Sequence, residues 1–91
     1  MQKRKYIGKC YMRDAECGNI AVYKITGITT NYFLVTHYYI GIGFSVKEDN
    51  LQMRFSMTNA NNFHEIPERL FRLMEAIHNM SGKYEYVNII P

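Results

Sequence analysis

The chain has 91 residues, 47% hydrophobic and 21% charged, which predicts a single globular domain and excludes a disordered tail. No apolar run is long enough for a signal peptide or a membrane span, so we expect a cytoplasmic protein. The net charge of +3 is local: the first thirteen residues hold five basic side chains, and the other six basic and eight acidic residues sum to −2. We predict a basic arm over residues 1–5, suited to an acidic surface, to phosphate or simply to solvation.

Two strands joined as a hairpin are predicted in the first third of the chain. Tyr6–Met12 and Asn19–Ile28 have strand character, and a turn that contains Gly18 separates them. A two-residue turn at positions 13 and 14 would place Cys10 opposite Cys17. A turn nearer Gly18 would separate the two cysteines, and the sequence leaves both arrangements open.

A second hairpin is predicted in the most apolar part of the chain. Residues 32–46 form a long apolar run in which the glycines at 41 and 43 predict a bulge or a sharp bend. Residues 51–57 alternate strictly between apolar and polar side chains, the pattern of a half-buried strand. The polar residues 48–50 suit the reversal, so we expect a hairpin over Ile40–Met57. With a turn at positions 49 and 50, its inward pairs would be Val46 with Met53, Phe44 with Phe55 and Ile42 with Met57. A turn at positions 48 and 49 would shift the register by two and keep the same residues inside.

The segment Ile66–Met80 is the clearest helix in the sequence. Pro67 suits the first helical position, and Gly82 suits the residue just past the C-terminus. Lys83–Ile90 then reads as a last strand. We therefore predict an α+β domain of order β-β-β-β-α-β, in which one helix packs on one face of a mostly antiparallel sheet of about five strands. The side chains expected to bury the helix recur at spacings of three and four: Ile66, Leu70, Leu73, Met74, Ile77 and Met80.

Metal binding is the one cofactor chemistry for which the chain has donor residues. Cys10 and Cys17 could supply half of a zinc site across the first hairpin, with His37 as a third ligand. The usual closely spaced cysteine or histidine pairs do not occur, and His64 and His78 would lie about 20 Å apart along a helix. We therefore expect no bound cofactor, with a zinc-stabilised binding module as an alternative.

No pattern of catalytic residues is apparent, so we predict a protein that is not an enzyme. Neither cysteine has a histidine at a spacing that supports nucleophilic catalysis, and the eight acidic residues are scattered. The Gly41-x-Gly43 sequence lies in a strand pattern and has no helix after it, so it lacks the context of a phosphate-binding loop.

One strand face has the composition of a binding surface. Phe33, Val35, His37 and Tyr39 should point away from the helix, where an uncovered apolar band would bind a partner or a second copy of the chain. Alternatively, the N-terminal hairpin covers this band, or the bulge near Gly41 exchanges the two faces. Aromatic residues near basic ones also suit single-stranded nucleic acid, although the usual RNA-binding strand consensus is absent.

In its size, its Tyr-, Asn-, Ile- and Lys-rich composition and its lack of a site motif, the chain resembles the small accessory proteins of phages and mobile elements, including anti-CRISPR and other anti-defence proteins. The resemblance is one of character and not of sequence motif. It implies a small protein-binding inhibitor or adaptor that occludes a larger host protein. The contact surface would be the 33–39 odd-numbered face, and Lys3, Arg4 and Lys5 would assist the encounter.

Overall fold

The computed structural model describes residues 3–14, 16–80 and 83–88, and only the backbone of residues 16 and 83–87. The predicted α+β class, with one helix packed on a largely antiparallel sheet, is confirmed. Short 3-10 turns lie at Lys3–Tyr6, Glu16–Gly18 and Phe55–Asn59. The main elements are β1 (Cys10–Asp14), β2 (Ile20–Ile28), β3 (Tyr32–Gly41), β4 (Phe44–Arg54), β5 (Phe63–Ile66), α1 (Glu68–Met80) and β6 (Lys83–Val87).

The strands form one sheet in the order β5-β1-β2-β3-β4-β6. The first five are antiparallel to their neighbours, and β6 lies parallel to β4. Strand β5 is absent from the predicted order and pairs with β1, with Cys10 opposite Ile66. Helix α1 therefore carries the chain from β5 at one edge of the sheet to β6 at the other edge. Such a crossover allows β6 to lie parallel to β4. The predicted cap at Gly82 and the end of the predicted last strand lie outside the described residues.

The first hairpin has the later of the two turns that the sequence left open. Strand β1 continues to Asp14, which pairs with Ile20, so Cys10 lies opposite Lys24 and not opposite Cys17. Cys17 has a left-handed backbone conformation (φ 60°, ψ 32°), and Gly18 follows with φ 76°. Two consecutive left-handed residues reverse the chain here.

The second hairpin turns at a different place from the predicted one. The chain reverses at Ile42 and Gly43, where Gly43 has a φ of 79° that favours glycine, and Val46 pairs with Tyr39. The predicted hairpin Ile40–Met57 and its facing pairs are therefore wrong. Residues 48–50 lie inside β4, where the Thr36 hydroxyl donates a hydrogen bond to Asp49 Oδ1 over 3.0 Å. The last predicted strand residues, 55–57, form a 3-10 turn.

Each face of the sheet carries its own hydrophobic core. Helix α1 covers one face, where Cys10, Val22, Tyr38 and Phe71 form the buried cluster. On the other face the N-terminal turn and the 55–59 turn pack against the sheet through partly buried Tyr6 and Phe55. The buried side chains of that second core are Tyr11, Ala21, Tyr23, Ile25, Phe33, Val35, Met53 and Phe63.

The buried stripe of α1 differs from the predicted one. Phe71 and His78 are the buried residues of the helix, and Met74 packs against the same core. His78 Nδ1 lies 2.7 Å from the Ser45 hydroxyl, and the Tyr38 hydroxyl donates to Glu75 over 3.1 Å. These polar contacts rotate the helix away from the aliphatic side chains. Leu70, Leu73 and Met80, predicted to be core, are 38%, 51% and 86% exposed, and Ile66 belongs to β5.

Candidate functional site

The tip of the β3–β4 hairpin presents an unusual group of exposed apolar side chains. Ile42 is 95% exposed, and Phe44, at the start of β4, is 37% exposed. The Phe44 ring stacks on Tyr39 with a centroid distance of 6.1 Å and an interplanar angle of 29°. We call Tyr39, Ile42 and Phe44 the hairpin-tip patch. Isolated exposed apolar residues are common on protein surfaces, but a contiguous group at a protruding turn is a candidate contact site.

Two features hold the hairpin-tip patch in place. A Cβ atom at Gly41 would lie 2.3 Å from the Phe44 ring, so the ring occupies space that any other residue would fill. Asn19 Nδ2 donates a 2.9 Å hydrogen bond to the Tyr39 hydroxyl, which ties the tip to the start of β2. The patch is therefore set on paired strands before any partner binds.

A row of stacked rings continues from the patch along the same face of the sheet. His37 lies 6.5 Å from Tyr39 and 4.6 Å from Tyr23, measured between ring centroids. The Arg13 guanidinium lies 5.9 Å from the Tyr23 ring. The row links the exposed tip to the second hydrophobic core, so movement of the tip would disturb packed rings.

His37 is the most strongly perturbed titratable group in this row. Burial lowers the pKa of His37 to about 4; Glu48 opposes this change and Arg13 reinforces it. Neither ring nitrogen has a hydrogen-bond partner among the described residues. The imidazole is therefore neutral at physiological pH and acts here as a packed ring rather than as a charged contact.

The predicted binding face is only partly available. Phe33 and Val35 are 1% and 0% exposed, so the expectation that they form an open surface is wrong. The alternative that the N-terminal hairpin covers this face applies in part. The ring of Tyr6, just ahead of that hairpin, lies 5.4 Å from the Phe33 ring, measured between centroids, and the Phe55 ring contacts Phe33 edge-on at 4.8 Å. Of the four predicted residues, Tyr39 belongs to the hairpin-tip patch and His37 lies beside it.

Two basic residues of the arm have their ammonium groups near aromatic rings. Lys3 Nζ lies 4.8 Å from the Phe55 ring centroid, and Lys5 Nζ lies 5.6 Å from that of Tyr6. Arg4 and Lys5 are exposed. Because Tyr6 and Phe55 belong to the second core, the three positive charges lie on the same side of the sheet as the row of rings. The first two residues of the predicted arm lie outside the described part of the chain.

The three predicted metal ligands do not come together. Cys10 is buried under α1, whereas His37 stacks on Tyr23 on the other face, and Cys17 is exposed in the turn. Across residues 3–14, 16–80 and 83–88, no group of three or more metal-binding side chains is present. The predicted set is therefore wrong as a single site. Burial raises the pKa of the Cys10 thiol, which makes it a poor ligand or nucleophile.

Two exposed apolar features were missed because the sequence pattern assigned them to the core. Ile42 and Phe44 continue the alternation of β3, so they read as buried until the turn at Gly43 interrupts the strand. Leu70, Leu73, Ile77 and Met80 form the strongest aliphatic stripe of the helix and were expected to pack on the sheet. The pair of glycines around Ile42 was the signal that could have placed the hairpin tip.

A scan against protein-family models finds no match, and searches of the curated proteins and of the solved structures find none either. Within the described ranges, no helix is long and apolar enough to cross a membrane.

Proposed function

We propose that this chain is a small non-enzymatic protein-binding domain, an inhibitor or adaptor, that contacts a larger protein through the hairpin-tip patch. The observation that carries the proposal is the 95% exposure of Ile42 at a turn flanked by Gly41 and Gly43. An aliphatic side chain that projects from a turn gains little from folding and would gain most from burial in a partner. Tyr39 and Phe44 beside it supply the aromatic area typical of interface centres.

The geometry of the tip suits insertion into a concave site. The patch lies at the end of two paired strands and is anchored by the Asn19–Tyr39 hydrogen bond. Little conformational freedom of the Tyr39 and Phe44 rings is then lost when the tip binds, because they already stack on each other. Occlusion of a pocket or cleft on a larger host protein is the mode of action that this shape favours, as the resemblance to phage accessory proteins implies.

The basic arm supports the proposal as a steering element. Lys3, Arg4 and Lys5 lie on the same side of the sheet as His37 and Tyr39, so an acidic partner surface would attract the side of the domain that carries the patch. Exposed charges at the edge of an interface affect the rate of association more than the final affinity.

The test is a tagged capture from a nuclease-treated lysate of the source cells or their host, with Ile42→Ser compared against the unchanged chain. We expect one stoichiometric protein to bind the unchanged chain, and its measured affinity to fall about tenfold or more in Ile42→Ser. Ile42 is almost fully exposed, so the replacement should leave the thermal midpoint unchanged.

Ile7→Ser is the matched control, because Ile7 is also an exposed apolar residue but follows the N-terminal turn and lies outside the hairpin-tip patch. Equal loss of binding in both variants would contradict a site at the hairpin tip. Capture that appears only without nuclease would assign the chain to nucleic-acid binding instead, with a strong salt dependence as its signature.

A further inference from the structure

Helix α1 presents a second apolar surface on the other side of the sheet. Leu73 is 51% exposed, Met80 is 86% exposed and Leu70 is 38% exposed, and Ile77 between them is partly exposed. We call these four residues the α1 stripe. Positions 70, 73, 77 and 80 follow the three- and four-residue spacing with which one helix packs against another. The α1 stripe therefore has the spacing that a second helix could cover.

The α1 stripe has a pattern that matches its own reversal. Positions 70 and 80 are equidistant from position 75, and so are positions 73 and 77. An antiparallel second copy of α1 would therefore place Leu70 opposite Met80 and Leu73 opposite Ile77, twice over. A two-fold interface requires this self-complementarity, whereas an unrelated partner does not.

The charges on α1 also favour a second copy. Its two glutamates and two arginines cancel, and Arg72 is bonded to both Glu68 and Glu75 at 3.0 Å on the flank away from the stripe. Glu68 is bonded further to Lys24 at 2.9 Å. The charges of helix α1 itself thus cancel, although the whole chain is positive.

The basic arm would not oppose such a dimer. Lys3, Arg4 and Lys5 lie on the face of the sheet opposite α1. When two copies meet through their helices, the two arms point outward and are separated by both domains. Screening over about 10 Å at 0.1 M ionic strength removes most of their mutual repulsion. An acidic partner, by contrast, would be drawn to the arm and not to the α1 stripe.

Arg69 determines the direction of pairing. It is the charged residue that flanks the stripe, and in an antiparallel pair the two copies of Arg69 would lie about 18 Å apart along the axis. In a parallel pair they would be adjacent and would repel. The antiparallel arrangement also opposes the two helix dipoles favourably.

We propose that the α1 stripe is a self-association surface, through which two copies of this chain form an antiparallel helix pair about a two-fold axis that crosses the stripe at the level of position 75. The surface and its occupant are independent of the hairpin-tip patch, which lies at a separate site and would remain accessible on both copies. The dimer would be bivalent toward any partner of the hairpin tip.

The first test is sedimentation equilibrium over a concentration series, with Leu73→Glu as the disrupting variant and Asn79→Glu as its control. Both substitutions add one negative charge to an exposed position of α1, but Asn79 lies outside the α1 stripe, on the flank that carries Arg72. We expect the unchanged chain and Asn79→Glu to reach dimer mass. Leu73→Glu should raise the dimer dissociation constant about tenfold or more.

Because Leu73 is half exposed, Leu73→Glu should keep the circular dichroism spectrum and thermal midpoint of the folded monomer. If it does not, Leu73→Ser and Met80→Ser repeat the comparison with smaller changes. A chain that stays monomeric at all concentrations, or a dimer equally weakened by Asn79→Glu, overturns the proposal. Loss of partner binding in Ile42→Ser with the dimer intact would show that the two surfaces act separately.

Disulfide cross-linking tests the orientation, in a Cys17→Ser background that removes the exposed native thiol. An Ala76→Cys variant would place its two thiols near the two-fold axis, whereas Arg69→Cys would place them at opposite ends. We expect a cross-linked dimer from Ala76→Cys alone under mild oxidation. Cross-linking of Arg69→Cys, with or without Ala76→Cys, overturns the antiparallel arrangement.

Discussion

His37 illustrates how one side chain can be predicted correctly in position and wrongly in role. The alternation of β3 places it on the face away from α1, as expected, and its ring stacks on Tyr23. The sequence suggested that His37 belongs to an open binding face or serves as a third metal ligand. In the fold, burial without hydrogen-bond partners among the described residues makes it an aromatic spacer that cannot carry charge without cost.

We expect His37 to make the fold sensitive to acid. Its pKa is lowered from 6.5 to about 4 in the folded chain, so the unfolded chain binds the proton more tightly. This contribution to stability is full above pH 6.5 and falls as the pH drops toward 4, by about 3 kcal/mol in total. His37→Phe keeps the stacked ring and should remove this loss, as urea unfolding at pH 7 and pH 4 would measure.

His64→Gln serves as the control for this experiment. His64 is exposed on β5, so its replacement should leave the pH dependence of the wild-type chain unchanged. Parallel pH profiles for the wild type and His37→Phe would contradict the assigned burial of His37.

The elements that the sequence predicted correctly are those whose side-chain pattern agrees with their backbone requirements. The predicted helix spans 66–80, and the observed helix spans 68–80. The start differs by two residues because Ile66 is the last residue of β5 and Pro67 follows it. The β3–β4 turn was misplaced because three polar residues at 48–50 are better turn formers by composition than Gly-Ile-Gly. Their partners, Thr36 in β3 and Asn88 just after β6, lie far away in sequence and are invisible in a local pattern.

The face of α1 was misassigned for a related reason. The helix contains two stripes, one aliphatic and one built from Phe71, Met74 and His78, and hydrophobicity alone favours the first. Burial of the second stripe depends on contacts with residues far away in sequence. The Ser45 hydroxyl lies within hydrogen-bond distance of His78, and the Tyr38 hydroxyl donates to Glu75. The exposure of the α1 stripe could not be predicted, because an exposed apolar residue and a buried one look alike in sequence. For the hairpin tip, Gly41 and Gly43 were the one available signal.

The β1–β2 turn carries a local strain that one substitution should relieve. Cys17 adopts φ 60° and ψ 32°, a conformation that favours glycine, and its side chain is exposed. Cys17→Gly should therefore raise the free energy of unfolding by roughly 0.5–1 kcal/mol in urea titrations.

Cys17→Ser is the matched variant, because it also removes the thiol but keeps a Cβ atom in the left-handed conformation. We expect no gain from it. Equal stabilisation by glycine and serine would mean that the thiol, and not the backbone, is responsible.

At the scale of the whole molecule, the sheet is covered on both faces by different means. Helix α1 covers the face that carries Cys10. The other face is covered by two short 3-10 turns, Lys3–Tyr6 and Phe55–Asn59. The N-terminal turn is fixed by backbone bonds as well: the Gly8 N–H donates to the Ile25 carbonyl over 2.7 Å, and the Ile25 N–H donates to that of Lys9 over 3.0 Å. The segment predicted as a solvated arm is thus partly a structural cover.

We expect Tyr6→Ala to uncover the second core. The Tyr6 ring contacts Phe33, which is fully buried only while that ring is present. Loss of the ring should reduce the free energy of unfolding by about 2–3 kcal/mol, measured by urea titration. Arg4→Ala, an exposed neighbour in the same turn, should change stability by less than about 0.5 kcal/mol. A similar effect for both variants would indicate a general fraying of the turn.

The strand order has a consequence for the order of folding. Strands β1 to β4 each pair with their neighbour in sequence, so their contacts close short loops. The contact between Cys10 and Ile66 spans 56 positions (66 − 10), and closing such a loop costs about 2 kcal/mol more entropy than closing a hairpin. The four-strand meander can thus assemble while α1 and both edge strands are still unstructured. The exposed Ile42 tip belongs to that early meander, so it is formed before the helix has covered the Cys10 face.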